Sequence, residues 1–406
     1  MVWKIYGNEY DLTDMMNNHP GGNDILRKTK DEDDITILFE TYHAFSNKEY
    51  IKNKLNNFLV KNKNDKDYIY TFDSYNELTM KIREVLPNRR SIKAGKFFYI
   101  RNLMTVFMYL ISMYYGFFSI QINIFMKCIF SFVSGVLFIS LGFNLMHDGS
   151  HYAISTNSYI NELVANIWTT IALWNNEIWF YHHVYNHHSF TNVVDKDPDL
   201  YNFRPVLKKI QDNRSFNFSK KYISYIAIVF IFIFPGMFCG QTFMYILSTI
   251  KNRLFKIKIP NKTYYNHYNI LCFILFGYIF IYNQKSLYPV IMYLLALNIT
   301  YAINIVPDHD TFETHIENHY NGNDWLKLQI CNSGNFENNN ILWTYLFGGI
   351  NFQIEHHLFP NMCHEHYPII KPIVKKYCLD NNIPYQEHSL FSAFKSFLKM
   401  TEFYAI

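Results

Sequence analysis

Sorting positions into charged, polar and apolar divides the chain into two kinds of segment. Stretches 102–126, 128–146, 222–250, 263–284 and 286–307 contain no Asp, Glu, Lys or Arg. A hydrocarbon core of about 30 Å takes about 20 helical residues, so each stretch is long enough to be read as a span. One such run fits the core helix of a soluble protein, whereas five in one chain predict a membrane protein. Basic residues collect in cytoplasmic loops. Arg89, Arg90, Lys93, Lys96 and Arg101 precede the first run, and Lys127 alone separates it from the second, which puts that connection in the lumen. Lys208, Lys209, Lys220 and Lys221 precede 222–250, and Lys251, Arg253, Lys256, Lys258 and Lys262 follow it, so both its ends read as cytosolic. Lys285 alone lies between the last two runs. The pattern predicts four spans as two hairpins, with 222–250 re-entrant or interfacial and broken at Pro235-Gly236, where a helix donor is lost and the backbone is permissive. A kinked fifth span is the alternative.

Composition refines this division. The 406 residues are 19% aromatic, with 33 Tyr, 37 Phe and 17 His, yet mean hydropathy is only −0.09, an average over apolar runs and a polar remainder. With Gly 15, Pro 12 and Cys 6, collagen-like, disulfide-scaffold and disordered classes are excluded. A net charge of +4 gives no reason to expect nucleic acid as a partner. Cys128, Cys239, Cys272, Cys331, Cys363 and Cys378 lack any CxxC or pairing rhythm and read as reduced thiols. Met1 to Tyr10 has no apolar core of a cleavable signal, so the N-terminus is expected in the cytosol.

The histidines are clustered. One group is His147-Asp-Gly-Ser-His151, at the end of the second run; another is His182-His183-Val-Tyr-Asn-His187-His188, followed by Asp197-Pro198-Asp199. A third is Gln353-Ile-Glu355-His356-His357, and His309 follows the fifth run. His147 and His151, like His183 and His187, are four apart and would share a helix face. Adjacent imidazoles in His187-His188 and His356-His357 point in different directions and can reach different ions. Eight imidazoles at the cytosolic ends of spans predict a dinuclear metal site, for which imidazole suits Fe, Zn and Cu alike. His182 is expected on the helix surface outside it, and His315, His319, His364, His366 and His388 in loop or supporting roles.

These boxes, His147-x-x-x-His151, His183-x-x-x-His187-His188 and Gln353-x-x-His356-His357, resemble those of the membrane fatty acyl desaturase family. Gln353 in place of a first histidine resembles the front-end branch, as do Asn351 to Pro360, Asp324-Trp325 with Gln329, and Pro384-Tyr-Gln-Glu387. The resemblance implies two non-haem irons held by His147, His151, His183, His187, His188, His309, His356 and His357, with Gln353 in the coordination sphere of this catalytic centre. Asp308 stands where the family often has Asn. The family also places the boxes together on the cytosolic side, which favours four spans over five.

Residues 1–75 carry many charges and no long apolar run. His19-Pro20-Gly21-Gly22 precedes an apolar-periodic stretch, and Phe39-Glu-Thr-Tyr-His43 follows downstream. Two histidines on opposite walls of an apolar crevice would close both axial positions of a haem and leave it to electron transfer. With Trp3, Tyr10 to Thr13 and Asp34-Ile35-Thr36, this segment resembles the cytochrome b5 domain, a small α+β fold, and implies haem b on His19 and His43. It departs by lacking the usual Gly before Asp34, by Ile35 for Ala, and by one extra residue between the ligands. The expected organisation is a haem domain over 1–75, a linker over 76–96, and an all-α membrane desaturase domain with a cytosolic cap over 97–406.

The resemblance implies an O2-dependent enzyme that introduces a cis double bond into a (poly)unsaturated fatty acyl chain, with the oxygen chemistry resting on the metal site. Electrons would come through the fused haem from NAD(P)H by way of a separate cytochrome b5 reductase, since the chain has no dinucleotide fingerprint. The bilayer, in the endoplasmic reticulum, and an acyl lipid or acyl-CoA would be further partners, with both termini cytosolic. A sphingolipid long-chain-base desaturase and a di-iron lipid hydroxylase share the same site. A haem-carrying electron-transfer adaptor without catalysis is the reading from another class.

Overall fold

The computed structural model describes residues 2–30, 32–61, 69–211, 215–233, 236–259, 267–282 and 284–405. The N-terminal unit begins as a hairpin, β1 (Trp3–Ile5) against β2 (Asn8–Tyr10), turned by Tyr6 and Gly7 at φ of 54° and 73°. Such a two-residue turn matches the twist of the strands it joins. β3 (Leu59–Lys61) pairs with the other edge of β2. Between them run α1 (Asn23–Thr29), α2 (Thr36–Tyr42) and α3 (Lys48–Asn56). Trp3 is fully buried and its indole donates to Leu26 O at 2.9 Å, which fastens α1 to the hairpin. Asp34 accepts from the backbone N–H of Thr36 (2.8 Å) and Gly7 (3.0 Å), so the loop before α2 is held without the family's usual glycine.

The stretch expected as a linker, 76–96, opens within a packed helix. α4 (Asp73–Arg83) buries Tyr75, Leu78, Thr79 and Ile82, a stripe at helical spacing. Tyr75 meets the Trp325 ring edge-on at 5.1 Å, stacks on Phe359 at 5.5 Å, and donates to Leu358 O at 3.1 Å. Helix α4 thereby braces the turn that carries His356 and His357.

Beyond it the chain is mostly helical. α5 (Lys96–Met113) and α6 (Ile124–Leu141) pack as neighbours, and each continues into a wider π turn, to Phe118 and to His147 respectively. α6 also lies along the helix Tyr288–His309, with Gly135 set against Tyr293 and Ala296. A Cβ there would fall 2.7 Å from both Ala296 Cβ and Tyr293 O, so only glycine lets the helices meet. Their C-terminal ends deliver His147 and His309 to one place. Among the described residues, Ile124–Ser150 and Tyr288–Glu317 are helices long and apolar enough to cross a membrane.

The stretch 222–250 is two helical pieces, Lys220–Ile228 running on to Ile233, then Gly236–Lys251. Pro235 of the expected break lies outside the described residues, as do Lys262 and 263–266 of the fourth run. Among the described thiols, Cys128, Cys272, Cys331, Cys363 and Cys378 are free.

Candidate metal centre and haem crevice

The first site lies inside the N-terminal unit. His19 opens the turn that leads into α1 and His43 closes α2, and their rings lie edge-on at 6.2 Å between centroids. Between them is a cavity of about 380 Å³ walled by Ile25, Leu38, Phe39, Leu55 and Phe58. Nδ1–H of His43 donates to Phe39 O at 2.7 Å and that of His19 to Gly22 O at 3.3 Å. Each ring is thus fixed with Nε2 as its free acceptor, the tautomer a metal requires. Burial pushes the His43 imidazole down to about 4 and also lowers that of His19, so both rings are neutral and able to ligate. The paired acceptors and apolar cavity fit a bis-histidine haem. Arg89, Lys93, Tyr152 and Asn361, from outside the N-terminal unit, complete the cavity wall.

The second site is a buried cluster of imidazoles. His147, His151, His183, His188 and His356 form one group, and His187, His309 and His357 another; within each group one ligand atom per residue lies within 4.8 Å of all the others. Nε2 of His183 is 3.1 Å from that of His147 and 3.2 Å from that of His188. Gln353 Nε2 lies 2.8 Å from His309 Nε2 and 3.4 Å from His357 Nε2, which puts Gln353 with the second group.

Outside partners aim these rings inward. Nδ1–H of His187 donates to Asp197 at 3.1 Å, that of His309 to Asn332 O at 3.0 Å, and that of His357 to Gln329 Oε1 at 2.9 Å. His356 Nδ1 is 3.0 Å from the hydroxyl of Tyr367, which itself donates to Met362 O, so the imidazole is the donor. The Nε2 atoms of His151 and His356 are buried without a hydrogen-bond partner. Burial, and then the neighbouring histidines, hold His151, His183, His188, His356 and His357 well below the ordinary imidazole range. For His187 burial acts downward too, but the carboxylates of Asp197 and Asp199 outweigh it and raise the group. The converging imidazole nitrogens fit a cation in each group, and in the larger group those of His151 and His356 are unpartnered.

A cavity of about 60 Å³ opens beside the cluster, walled by Phe138, Phe143, Trp168, Trp174 and Tyr301 and reaching His147, His187 and His309. Asp308 lines it as well, buried, with neither carboxylate oxygen hydrogen-bonded. It does not face solvent.

The seven box histidines, His309 and Gln353 all come together; His183 and His187 stack, as four-residue spacing predicts, yet fall in different groups. Residues 180–187 form a π-helix, whose wider turn brings residues five apart onto one face. His183 therefore joins His188, and His187 faces the other group. His182 is not on the surface: it is buried, with Nδ1 2.6 Å from the Tyr245 hydroxyl and Nε2 2.7 Å from Asp199. His364 is more than a loop residue, since Nδ1–H donates to Asp148 at 2.7 Å and Nε2 accepts from Arg101 at 2.8 Å. Tyr42 was invisible as a site residue from sequence; its hydroxyl lies 3.3 Å from His151 Nδ1. Only its place beside the haem-side His43 marked it.

Comparisons with known proteins agree with this geometry. The profile of the fatty acid desaturase family matches residues 123–389, and that of the cytochrome b5-like heme/steroid binding domain matches residues 2–78. An acyl-lipid (8-3)-desaturase of Mortierella alpina is 26% identical over 97% of this chain and 92% of its own. Delta(5) fatty acid desaturase A of Dictyostelium discoideum is 25% identical over 94% and 85%, and a sn-1 linoleoyl-lipid 6-desaturase of Synechocystis is 25% identical over 64% and 75%. With the histidine boxes assembled and a cytochrome b5-like domain ahead of them, the chain belongs to the fatty acid desaturase family, in its front-end, cytochrome b5-fused branch.

Proposed function

We propose that this enzyme desaturates the acyl chain of a lipid, as the names of its relatives say of them, rather than a sphingolipid base, and that its ligands are the seven box histidines and His309. The observation that carries this is the pair of buried imidazole groups beside an aromatic-walled cavity. Iron bound in the two groups supplies the oxygen activation that amino-acid acids and bases cannot. The chain's own residues do the rest. Phe138, Phe143, Trp168 and Trp174 exclude water and orient a methylene segment. Asp197, Asn332, Gln329 and Tyr367 hold protons on the Nδ1 atoms they face and so keep each Nε2 free. Asp308 adds a carboxylate at the cavity end.

His19 and His43 would hold haem b, which would supply one-electron transfer to the metal site, with NAD(P)H and a cytochrome b5 reductase as the electron source and O2 as co-substrate. The fused domain raises its own effective concentration at the site. An adaptor without catalysis would have no use for eight converging rings. For the membrane, α5 and the helix His267–Gly277 join the two long apolar helices to make four spans. Leu103, Phe107, Phe273 and Ile274 are large apolar side chains left exposed on those two helices, which lipid would cover. The boxes then sit at the cytosolic ends, in the endoplasmic reticulum.

The test is expression in a host lacking polyunsaturated lipids, with candidate acids supplied and double bonds located. Wild type should yield new unsaturation and carry two non-haem irons per chain. His356→Ala should yield none while keeping its haem absorbance, and turnover by that variant would sink the assignment. New hydroxyl groups in place of double bonds would make the enzyme a hydroxylase.

A further inference from the structure

The haem module and the metal centre are not merely neighbours. Tyr42 ends α2, adjacent in sequence to His43, and lines the haem cavity. Its hydroxyl lies 3.3 Å from Nδ1 of His151, 109 residues away in the other part of the chain. The Tyr42 ring meets Tyr152 edge-on at 6.4 Å, and its backbone carbonyl accepts from Asn361 Nδ2 at 3.1 Å. Ring and backbone of Tyr42 are thus each held by a residue of the desaturase part. Nε2 of His151 is buried without a partner and points into the larger imidazole group.

The other rings with a described outer partner are oriented from within the desaturase part: His187 by Asp197, His309 by Asn332, His356 by Tyr367 and His357 by Gln329. For His151 the partner comes from the haem module. We infer that Tyr42 is a positioning residue of the metal centre, supplied across the boundary between the two modules. It fixes the His151 ring with Nε2 toward the metal, so that the metal site is complete only when the haem module is docked. A neutral imidazole with a metal on Nε2 carries its proton on Nδ1, and the phenol oxygen of Tyr42 is the acceptor in reach. One residue thus stands between an axial haem ligand and a metal ligand, joined to the first by a peptide bond and to the second by a hydrogen bond.

This inference rests on the metal-centre reading above, and the test separates the two. The purified full chain in detergent, haem-loaded and stripped of non-haem metal with a chelator, is titrated anaerobically with Co(II), read by its visible ligand-field bands. Tyr42→Phe keeps the ring packing and removes the hydroxyl alone. It should weaken Co(II) binding about 10- to 100-fold, the usual effect of losing a partner of a ligating histidine, and shift the ligand-field bands, with the haem Soret band unchanged. Arg27→Ala removes a different contact between the modules, an exposed ion pair from Arg27 to Glu177 at 2.9 Å, and should bind Co(II) as wild type does. Wild-type affinity and bands in Tyr42→Phe would overturn the inference and leave the metal centre standing. Equal weakening by Arg27→Ala would overturn it too, by making docking in general, not the phenol, the cause. A wild type that takes up no Co(II), or a His356→Ala variant that binds it undiminished, would sink the metal centre and the inference together.

Discussion

The haem crevice and the metal centre both present imidazole nitrogens to a buried space, yet they are built in opposite ways. In the crevice each histidine is oriented by a carbonyl three or four residues away, Gly22 for His19 and Phe39 for His43, around a cavity of about 380 Å³. In the metal centre the orienting groups are distant in sequence, such as Asn332 for His309 and Gln329 for His357, and the adjoining cavity is about 60 Å³. A local scaffold leaves a hole for a large planar cofactor, whereas converging long-range contacts close around single ions. The orientation of the haem ligands should therefore survive damage to the rest of the fold, and the metal centre should not.

The largest effect expected from breaking this contrast is at Asp197. It accepts from His187 Nδ1 and from the backbone N–H of Asn192 (2.7 Å) and Asp199 (2.9 Å). Asp197→Asn should lower affinity for non-haem iron about 10- to 100-fold, measured as iron retained against a graded chelator. The haem spectrum should not change. A shifted Soret band would mean that the two sites share a scaffold after all.

The same contrast explains what could be read from sequence. The ligands were legible because histidines at short spacings stand out against any background, and His19 and His43 because their neighbours Trp3 and Asp34 belong to the same small fold. Their partners were not, because Tyr42 and His151 are 109 residues apart and no periodicity connects them. Spacing did not show how the rings divide between two groups. A four-residue interval puts His183 and His187 side by side, as they are, but nothing in the letters 180–187 announces the π-helix that turns His187 to the second group. Helix α4 reads as part of a linker because its exposed face is polar, while Tyr75 on the other face finds Trp325 and Phe359 only in the folded chain.

Next in size is the packing that brings His147 and His309 together. Gly135→Ala would set a methyl 2.7 Å from Ala296 Cβ and from a backbone oxygen that cannot rotate away. The cost should be about 1–3 kcal/mol, seen as a lower Tm of the desaturase part with haem binding intact. Equal loss of both transitions would show one cooperative unit.

At the boundary between the sites, Lys93 is buried and donates to the carbonyls of Tyr152 and Asn361, each at 2.7 Å. Burial lowers its ammonium to about 7, from 10.5 in an exposed lysine. Between those values the unfolded chain binds a proton that the folded one does not, so stability rises with pH across that window and is flat in this respect below it. The gain is on the order of 1 kcal/mol per pH unit. Wild type should gain in Tm over Lys93→Met as pH goes from 7 to 10. A constant difference would mean that Lys93 stays charged.

The smallest effect belongs to the same boundary, at its exposed edge. Arg27 reaches Glu177 at 2.9 Å and Asp24 at 2.8 Å, but its side chain is 52% exposed. Water and salt screen such a pair, and holding two long side chains costs rotamer entropy, so Arg27→Ala should change stability by about 0–1 kcal/mol. Docking should persist, because other bonds cross the boundary: Tyr181 donates to Lys28 O at 2.8 Å, Tyr185 to Asp34 O at 3.2 Å, and Asn361 to Tyr42 O at 3.1 Å. Protease sensitivity of the haem module, compared in low and high salt, measures this directly. Release of the module by Arg27→Ala, or by salt alone, would mean that surface charge holds the two sites together. The metal centre would then meet its haem-side tyrosine only part of the time.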